Sequence, residues 1–361
     1  MPLFTDLVAA SALSPDQAMR TAIAAAERVR GTTSPNPPVG CVILDASGIP
    51  VAVAGTDPVG GPHAEAQALD AAGERARGGT AVVTLEPCHH HGRTGPCTGE
   101  LLDAGVAKVI YGVADPNPVA AGGADWLDAR GVTVIGGTLR GEIADGVLRP
   151  WLHWQATRRP HITLKTAGTI DGLAAATDGS SQWITGEPAR ARVHVDRSRR
   201  DAIIVGTGTV LADDPRLTAR DPQGIPYPNQ PLRVAVGRKE IPEDAAIRGG
   251  FLPGERVDPA IASTDLFRHI QTRDMSQVVD VLADLGIIDV LVEGGPRLAG
   301  AFLEAGLVDA VESYIAPGLL GAGTAVVDTG AATTVDDIVR FRTVGVELLG
   351  NDVLVKSVRR T

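Results

Sequence analysis

The sequence predicts an α/β protein of two domains, in which strands and helices alternate along the chain. A chain of 361 residues is longer than one ordinary hydrophobic core organises, and this length favours two domains. Apolar runs alternate with helical segments over short connections, a pattern typical of a largely parallel sheet packed with helices. Pro160 ends a helical stretch, and a second series of strands begins directly after it. We therefore expect domains at 1–155 and 160–361.

The first half begins with a predicted helix over residues 14–30, with Ser14 as N-cap and Pro15 at the first helical position. Two strands, "VGCVILD" (39–45) and "IPVAVAG" (49–55), flank a Ser-Gly turn. A helix is expected to begin at His63. The elements expected next are the buried strand "TAVVTLEPC", a helix starting near Cys97, the strand "AKVIYGV", the helix "ADWLDARG", the strand "VTVIGG" and one closing helix with a linker over 139–159.

The second half is expected to form a mixed sheet with helices. Strands are predicted at "HITLKTAG", "GLAAAT", "DAIIVG", "PLRVAVG", "IDVLVEGG" and "VDAVESYIAPG", and helices at "EPARARVHVDRSRR", near 275–286 and at "PRLAGAFLEAG". The last segment, "RTVGVELLGNDVLVKSV", is typical of an antiparallel hairpin that turns at Gly350, Asn351 and Asp352. Residues 239–276 support no assignment beyond the start of the helix near 275.

Composition and charge exclude several classes of protein. The net charge of −10 argues against a broad nucleic-acid-binding surface. We expect no membrane association, because the chain has neither an apolar stretch of about 18 residues nor the basic N-terminal region of a signal peptide. Three cysteines do not form a disulfide framework. A reducing, cytoplasmic location is therefore expected.

Three residues of the first half have the chemistry of a catalytic zinc site. His63, Cys88 and Cys97 are ligand types that zinc prefers, and a catalytic site keeps its fourth position for water. Glu65, two residues after His63, is expected to lie close to the metal without binding it. This is the arrangement of zinc deaminases, in which the metal activates water and a glutamate transfers protons. Each cysteine follows a proline near an expected helix start, where the helix dipole favours a thiolate.

The alternative is that the cysteines are inert core residues, as we expect for Cys41 in the apolar strand "VGCVIL". The adjacent His89, His90 and His91 are possible extra ligands, but a closed site would leave no position for water. We expect one or two of them to face substrate or to pack.

Four stretches together resemble the deaminase half of the bifunctional deaminase–reductases of riboflavin biosynthesis: "SPNPPVGCVIL", "GPHAEAQAL", "TLEPCHHHGRTGPC" and "VADPNP". Most cytidine and tRNA-adenosine deaminases carry the two cysteines as PCxxC, whereas eight residues separate them here, as in this family. The resemblance implies that Asn36 holds the pyrimidine and that His90 and Arg93 contact the substrate and its phosphate. The family usually has a basic residue where this chain has Pro38, and commonly Lys or Arg where it has Gly123.

The second half contains no GxGxxG, so a Rossmann site is not expected. Two strand–glycine–helix junctions, "IIVGTGTVLADDP" and "VLVEGGPRLAGAFL", would direct backbone N–H groups and a helix N-terminus at an anion such as a dinucleotide phosphate. Glycine turns after strands are also ordinary architecture. Lys165 is open to two readings, a residue that orients substrate or a strand-end lysine with its tip in solvent.

Three stretches resemble the reductase half of the same family: "LKTAGTIDGLAAATDGSSQWIT", "VHVDRSRRDAIIVGTGTVLADDPRLTAR" and "VEGGPRLAGAFLEAGLVD". That half resembles dihydrofolate reductase in fold and uses NADPH. The resemblance implies a nicotinamide site of Ala167, Trp183, Thr209 and Asp213, with the phosphates in the loop of Gly295, Pro296, Arg297, Leu298, Ala299, Gly300 and Ala301. It implies substrate contacts from Ser181, Arg197, Leu217, Arg220 and Glu293. Arg197 and Arg220 suit the ribose 5-phosphate, and Ser181 and Glu293 suit sugar hydroxyls.

Together these observations predict a cytidine-deaminase-like α/β/α sandwich followed by a dihydrofolate-reductase-like mixed-sheet domain. The expected reactions are hydrolytic deamination of 2,5-diamino-6-(5-phosphoribosylamino)pyrimidin-4(3H)-one, then reduction of the ribosyl group of the uracil product by NADPH. In the first, Glu65 takes the proton of water and delivers it to nitrogen. We expect a homo-oligomer, a dimer or tetramer. Two alternatives are a nucleic-acid adenosine or cytidine deaminase, favoured by a basic first domain and PCxxC, and a zinc-stabilised binding module without catalysis.

Overall fold

The chain divides into two compact units, Met1–Arg158 and Arg159–Thr361, and each unit has a large sheet of its own. The computed structural model describes residues 11–90, 95–249, 266–330 and 332–360. Over these ranges no helix combines the length and the apolar content needed to cross a lipid bilayer. Both units mix strands with helices, as the sequence predicts.

The N-terminal unit is a five-stranded sheet with helices packed on it. Its elements are α1 (Pro15–Val29), β1 (Gly40–Leu44), β2 (Pro50–Gly55), α2 (Ala64–Ala72), β3 (Thr80–Leu85), α3 (Cys97–Asp103), β4 (Lys108–Val113), α4 (Gly123–Asp128), β5 (Thr133–Gly136), α5 (Arg140–Asp145) and α6 (Arg149–Thr157). The strand order is β2-β1-β3-β4-β5. β1 pairs antiparallel with β2 and β3, whereas β3, β4 and β5 run parallel.

Helix α1 packs its backbone directly against β1. Ser14 caps the helix in a capping box with Gln17, which satisfies two N–H groups at the helix start. The buried face of α1 consists mainly of alanines, so that the helix comes close to the sheet. A Cβ on Gly40 would lie 1.9 Å from the carbonyl oxygen of Ala22, and glycine is therefore required at this contact.

The C-terminal unit is built on an eight-stranded sheet. Its elements are β6 (His161–Thr169), β7 (Leu173–Ala175), α7 (Glu187–Ser198), β8 (Ala202–Gly206), α8 (Thr207–Asp213), β9 (Leu232–Val236), α9 (Ala246–Gly249), β10 (Phe267–Ile270), α10 (Met275–Asp284), β11 (Asp289–Val292), α11 (Pro296–Glu304), β12 (Ala310–Ala316), β13 (Thr324–Ala325), β14 (Phe341–Leu349) and β15 (Asp352–Arg359).

The order of this sheet is β10-β9-β8-β11-β6-β12-β15-β14. Neighbouring strands from β10 to β12 run parallel, and the hairpin of β14 and β15 adds to β12 in antiparallel fashion. The carboxyl ends of β8 and β11 therefore lie side by side at one edge, where α8 and α11 begin. Such an edge is where open parallel sheets bind ligands.

Three segments differ from the sequence-based expectations. Residues 139–159 form two short helices, because the chain turns sharply at Gly146 (φ −107°, ψ −116°). The segment "GLAAAT" contributes β7, which pairs with β13 in a separate two-stranded sheet. Between 239 and 276 the structure contains α9 and β10, while residues 250–265 lie outside the described part of the chain.

Candidate functional site

The three predicted metal ligands come from three separate elements of the N-terminal unit. His63 is the residue before α2, and its side chain makes no capping bond to that helix, so the imidazole is available for other contacts. Cys88 lies in the loop after β3, and Cys97 is the first residue of α3. Both thiols are buried. Residues far apart in sequence thus meet at one point.

The distances in this cluster fit a zinc ion. His63 Nδ1 lies 3.3 Å from Cys97 Sγ and 3.6 Å from Cys88 Sγ. A tetrahedral zinc with Zn–N of about 2.0 Å and Zn–S of about 2.3 Å needs N···S separations of about 3.5 Å. Among the described residues this is the one group of three such side chains, with ligand atoms all within 4.8 Å of one another. Three protein ligands leave one position of a tetrahedron for water.

Helix α3 supports Cys88 rather than containing it. Cys88 and the two residues after it are not helical, and the helix start that lies close to Cys88 is that of α3, at Cys97. The backbone N–H of Cys97, at the start of α3, donates to Cys88 Sγ over 3.5 Å. Hydrogen bonding from Cys97 and His63 lowers the pKa of Cys88 to about 4. The hydrogen bond to Cys88, then burial and the charge of Glu65, raise the pKa of Cys97. Cys88 is therefore the favoured thiolate of the cluster, and a metal would displace the protons held by Cys97 and His63.

Glu65 lies beside the cluster without joining it. The residue is 4% exposed. Burial, followed by the charge of the nearby Cys88 thiolate, raises the pKa of its carboxyl group to about 7. The hydrogen bond to Cys88 raises the pKa of His63 to about 9 in the absence of metal. A carboxyl group with a pKa close to neutrality can both accept and donate a proton, as general acid–base catalysis requires.

A cavity of about 220 Å³ opens onto these residues and is lined by His63, Glu65 and Cys88. Asn36 and His90 also line it, as the family resemblance implies. His90 Nδ1 is buried and has no hydrogen-bond partner among the described residues. A buried polar nitrogen without a partner is costly unless a ligand or water satisfies it. Arg93, the predicted phosphate contact, and His91 lie outside the described residues.

His89 packs instead of facing the metal. Its Nδ1 lies 3.0 Å from Thr98 Oγ1, and its ring lies 4.8 Å from that of Trp126 between centroids. The expectation that some of the adjacent histidines pack is therefore confirmed for this one.

Sequence reasoning missed the role of Glu86. Its carboxylate accepts the backbone N–H groups of Asp115 (3.1 Å) and Ala124 (3.0 Å), and so fixes the loop that carries Asp115 and Asn117 into the cavity wall. The acidic residue in "LEPC" was the available signal. Trp151 and Gln155 of α6 also line the cavity, and only their helical spacing could have suggested a shared face.

The two positions at which the family has basic residues do not suit them here. Pro38 is buried. A Cβ on Gly123 would lie 1.9 Å from the carbonyl oxygen of Pro87, so that no side chain fits without movement of the backbone. A longer side chain is therefore excluded at position 123, and the residue at position 38 is covered by its neighbours.

In the C-terminal unit, Arg197 and Glu293 form a two-pronged ion pair. Arg197 Nε and Nη2 each donate to one carboxylate oxygen of Glu293 over 2.8 Å. The two side chains are 16% and 5% exposed. Burial alone would raise the pKa of Glu293, but Arg197 lowers it to about 2. The edge of the Arg197 guanidinium that carries Nε and Nη2 is therefore occupied by Glu293 and is not open to a substrate phosphate.

Lys165 lies close to this ion pair. It is half-buried, its Nζ lies 5.7 Å from the centroid of the Tyr314 ring, and burial lowers its pKa against the opposing effect of Glu293. Lys165 lies in the middle of β6. The interpretation that it is a strand-end lysine with its tip in solvent is therefore wrong.

The two glycine junctions meet at the carboxyl edge of the sheet. A Cβ on Gly295, before α11, would lie 3.4 Å from Thr209 Oγ1 in α8. Ala167 lies in β6 opposite Tyr314. Trp183 is 70% exposed, with the Arg190 guanidinium 4.4 Å above its ring. Asp213 and Ser181 are exposed, and no contact among the described residues ties them to Gly295.

Two family models match the chain. The model described as the cytidine and deoxycytidylate deaminase zinc-binding region matches residues 14–113. The RibD C-terminal domain matches residues 160–355, more than half of the chain.

Curated relatives match over nearly the whole length. The riboflavin biosynthesis protein RibD of Mycobacterium tuberculosis is 48% identical over 345 residues, which cover 96% of this chain and 97% of that protein. The protein of the same name from Corynebacterium ammoniagenes is 50% identical over 316 residues, which cover 86% of this chain and 88% of that protein.

A solved structure has the same fold. It is a diaminohydroxyphosphoribosylaminopyrimidine deaminase/5-amino-6-(5-phosphoribosylamino)uracil reductase from Thermotoga maritima, with a TM-score of 0.82 at 32% identity, covering 96% of this chain and 99% of that one. These matches confirm the predicted fold class, a cytidine-deaminase-like domain followed by a reductase domain. The chain belongs to the RibD family of riboflavin biosynthesis enzymes.

Proposed function

We propose that this chain is a bifunctional enzyme of riboflavin biosynthesis. The first half hydrolyses the C2 amino group of 2,5-diamino-6-(5-phosphoribosylamino)pyrimidin-4(3H)-one. The second half reduces the ribosyl group of the resulting 5-amino-6-(5-phosphoribosylamino)uracil to a ribityl chain. The observation that carries the proposal is the cluster of His63, Cys88 and Cys97 at a cavity that His63, Cys88 and Glu65 line. Family membership over 96% of the chain supports both halves.

In the N-terminal unit, residues 1–155 are assigned to deamination. A zinc ion held by His63, Cys88 and Cys97 would supply an activated water and polarise it for attack. Glu65 would hold the proton of this water and pass it to the substrate nitrogen and the leaving ammonia. Its burial suits this task, because a group with a pKa near 7 exchanges protons readily at neutral pH.

Substrate positioning in this unit is assigned to Asn36, His90 and Arg93. The side-chain amide of Asn36 offers a donor and an acceptor to the pyrimidine, and the partnerless Nδ1 of His90 supports a contact with a ligand. Arg93 would pair with the phosphate.

In the C-terminal unit, residues 160–361 are assigned to reduction, with NADPH as the source of hydride. We assign the cofactor site to the following residues: Ala167, Trp183, Thr209, Asp213, Gly295, Pro296, Arg297, Leu298, Ala299, Gly300 and Ala301. The approach of Thr209 to Gly295 supports it. Gly295 precedes α11 and Thr209 lies in the first turn of α8, and the N-terminal N–H groups of helices suit phosphate.

The ribosyl substrate is assigned to Lys165, Ser181, Leu217, Arg220 and Glu293, with Arg197 behind Glu293. Because Arg197 keeps Glu293 ionised, this carboxylate can accept hydrogen bonds from sugar hydroxyls. Lys165, whose charge also acts on this carboxylate, would orient the substrate. Hydride transfer to a bound sugar depends on such positioning.

The two alternatives receive no support. A basic first domain and a PCxxC motif would favour a nucleic-acid deaminase, and neither occurs in this sequence. A closed metal site with four protein ligands would favour a binding module without catalysis. Among the described residues three ligands meet here.

We also propose that the protein assembles as a homo-oligomer, a dimer or tetramer. β14 is an edge strand, and it exposes Val346 (66%) and Leu348 (75%). Unpaired edges with apolar side chains favour pairing with another chain. Sedimentation equilibrium that gives only the monomer mass would contradict this assignment.

A cytoplasmic location is proposed because Cys88 and Cys97 are free thiols and zinc binding needs them reduced. Recovery of the protein in an oxidising compartment would contradict it.

The proposal is tested by incubating the purified, zinc-loaded protein with the diaminopyrimidine ribotide, with and without NADPH. Ammonia release in both samples, and NADPH oxidation only after release, are the expected results. No ammonia release would refute the deaminase half. Ammonia release without NADPH oxidation would refute the reductase half alone.

A further inference from the structure

Helix α6 places two side chains in the wall of the cavity beside the metal cluster. Trp151 and Gln155 lie four residues apart and so share one face of the helix, and both line the cavity. Trp151 is 4% exposed and anchors this face in the N-terminal unit, while Gln155 is half-buried. The helix therefore presents the Gln155 side chain to a ligand that occupies the cavity.

The side-chain amide of Gln155 is not used by the protein itself. It makes no hydrogen bond with any residue in the described part of the chain. By contrast, the side-chain oxygen of Asn117, which lines the same cavity, accepts the backbone N–H of Val119 over 3.1 Å. A partly buried amide without a protein partner costs free energy unless a ligand or water satisfies it. Gln155 thus offers a donor and an acceptor to a ligand.

Helix α6 also lies outside the part of the chain that is shared with deaminases of cytosine nucleotides. The match to their zinc-binding region ends at residue 113, and the match to the C-terminal domain begins at residue 160. Cytosine carries hydrogen at C5, so the shared region needs no partner for a substituent there. The diaminopyrimidine substrate carries an amino group at C5. We therefore expect the partner of this group to come from an element added to the shared region, as α6 is.

The polar groups of the substrate ring are complementary to one amide side chain. C5 lies across the ring from C2, so the 5-amino group and the adjacent 4-oxo group point away from the metal when C2 faces it. These two groups place a hydrogen-bond donor beside an acceptor. The carbonyl and NH2 groups of a glutamine pair with such an edge, as they do with N6 and N7 of adenine.

We propose that Gln155 binds the 4-oxo and 5-amino edge of the pyrimidine and makes the deaminase selective for 5-aminopyrimidines. Its carbonyl oxygen accepts from the 5-amino group, and its NH2 group donates to the 4-oxo oxygen. This inference rests on the deaminase function proposed above and adds a specificity-determining residue to it. A glutamine that served only to pack α6 would not distinguish a 5-amino group from hydrogen.

The test compares two compounds as substrates of the full, zinc-loaded protein without NADPH. One is the diaminopyrimidine ribotide, and the other is the same ribotide with hydrogen in place of the 5-amino group. Ammonia release gives kcat/KM for each compound, and the ratio of the two values is the preference for the 5-amino group. The difference in intrinsic reactivity between the two rings is the same for every variant, so it cancels when the ratios are compared.

Gln155→Met keeps the length of the side chain and removes both hydrogen-bonding groups. Its kcat/KM for the diaminopyrimidine ribotide should fall about 5- to 100-fold, the range for the loss of a bidentate pair. The preference for the 5-amino group should fall about 3- to 10-fold, because the 5-hydrogen compound loses only the bond to its 4-oxo oxygen. Zinc content should stay at the wild-type level, since Gln155 is not part of the cluster.

Leu152→Met is the matched control. Leu152 is also a half-buried residue of α6, but it is not among the described residues that line the cavity. This variant should release ammonia from both compounds with wild-type kcat/KM. A disturbance of α6 packing would lower kcat/KM for the two compounds alike and would leave their ratio unchanged.

An unchanged preference in Gln155→Met would overturn the proposal, whatever the loss of kcat/KM, and would leave the deaminase function standing. If this variant does not fold, Gln155→Glu decides, because an ionised carboxylate accepts from the 5-amino group but cannot donate to the 4-oxo oxygen. Gln155→Glu should lose kcat/KM for both compounds and keep the preference, and wild-type kcat/KM would overturn the proposal. No ammonia release from either compound by the wild type would refute the deaminase function and this inference together.

Discussion

Removing Arg197 leaves the buried Glu293 carboxylate without its main partner. The gap between an ordinary glutamate pKa of 4.5 and about 2 in the folded chain corresponds to about 3 kcal/mol of stability at pH 7. We expect Arg197→Met to lower the free energy of unfolding of the C-terminal unit by about 3–5 kcal/mol, the range for breaking a buried pair. Methionine keeps much of the side-chain volume, so that the effect reports the charge.

The pH dependence follows from the direction of the shift. The folded-state pKa of Glu293 lies below the unfolded one, so its contribution is fully present above about pH 5 and is lost as the pH falls toward about 2. The destabilisation caused by Arg197→Met should therefore shrink over this range. The free energy of unfolding is measured by urea titration, with hydrogen exchange of a peptide from β11 as the signal. Because β11 immediately precedes Glu293, this peptide reports on the C-terminal unit.

Two controls complete this experiment. Adding Glu293→Gln to Arg197→Met removes the buried, unpaired carboxylate. The double variant should recover at least half of the lost free energy of unfolding. Arg77→Met breaks an exposed pair with Glu74 in the N-terminal unit, where the two side chains are 64% and 90% exposed. It should cost that unit less than about 0.5 kcal/mol and leave the exchange of the β11 peptide unchanged. A loss below about 1 kcal/mol in Arg197→Met, with no change between pH 3 and pH 7, would refute the reasoning.

Three further variants test other parts of the account. Glu65→Gln should abolish ammonia release while zinc content stays at the wild-type level, because Glu65 lies beside the ligands and outside the cluster; loss of zinc would make Glu65 a ligand. Gly300→Ala places a Cβ 1.8 Å from the carbonyl oxygen of Asp328 and should destabilise the packing of α11 by about 1–3 kcal/mol. The measurement is the rate of hydrogen exchange in α11, and an unchanged rate would contradict this contact. Ser14→Ala breaks the capping box with Gln17 and should cost about 1 kcal/mol, read as faster exchange in the first turn of α1, and Ser14→Asp should restore protection.

Local patterns in the sequence predicted most of the elements. Ser14 and Pro15 marked the start of α1, and the alternation of strands and helices predicted a mixed fold in both units. The closing segment was predicted less well, because Gly146 interrupts a stretch whose composition is helical on both sides. A single glycine within such a stretch does not show by itself whether the helix continues.

The metal cluster was predictable because the ligand types are rare and specific. One histidine and two cysteines at this spacing seldom occur together by chance, and their distances fit zinc. The hydrogen bond from the start of α3 to Cys88 was not predictable, since the N–H of Cys97 reaches Cys88 Sγ only in the folded chain. Glu86 was missed for the same reason, because its partners lie 29 and 38 residues away.

Charge pairing in the second half also depends on tertiary contacts. The sequence offered Arg197 to a phosphate, whereas the folded chain brings it to Glu293, 96 residues away. The contacts of His194, Arg197 and Arg220 with Thr218 likewise arise only in the folded chain.

X-ray absorption at the zinc edge, combined with metal content per chain, tests the central claim most directly. The account predicts one zinc per chain, bound by two sulfurs, one imidazole nitrogen and one oxygen from water. A second imidazole or a third sulfur in the resting protein would fill the place reserved for water and contradict the account.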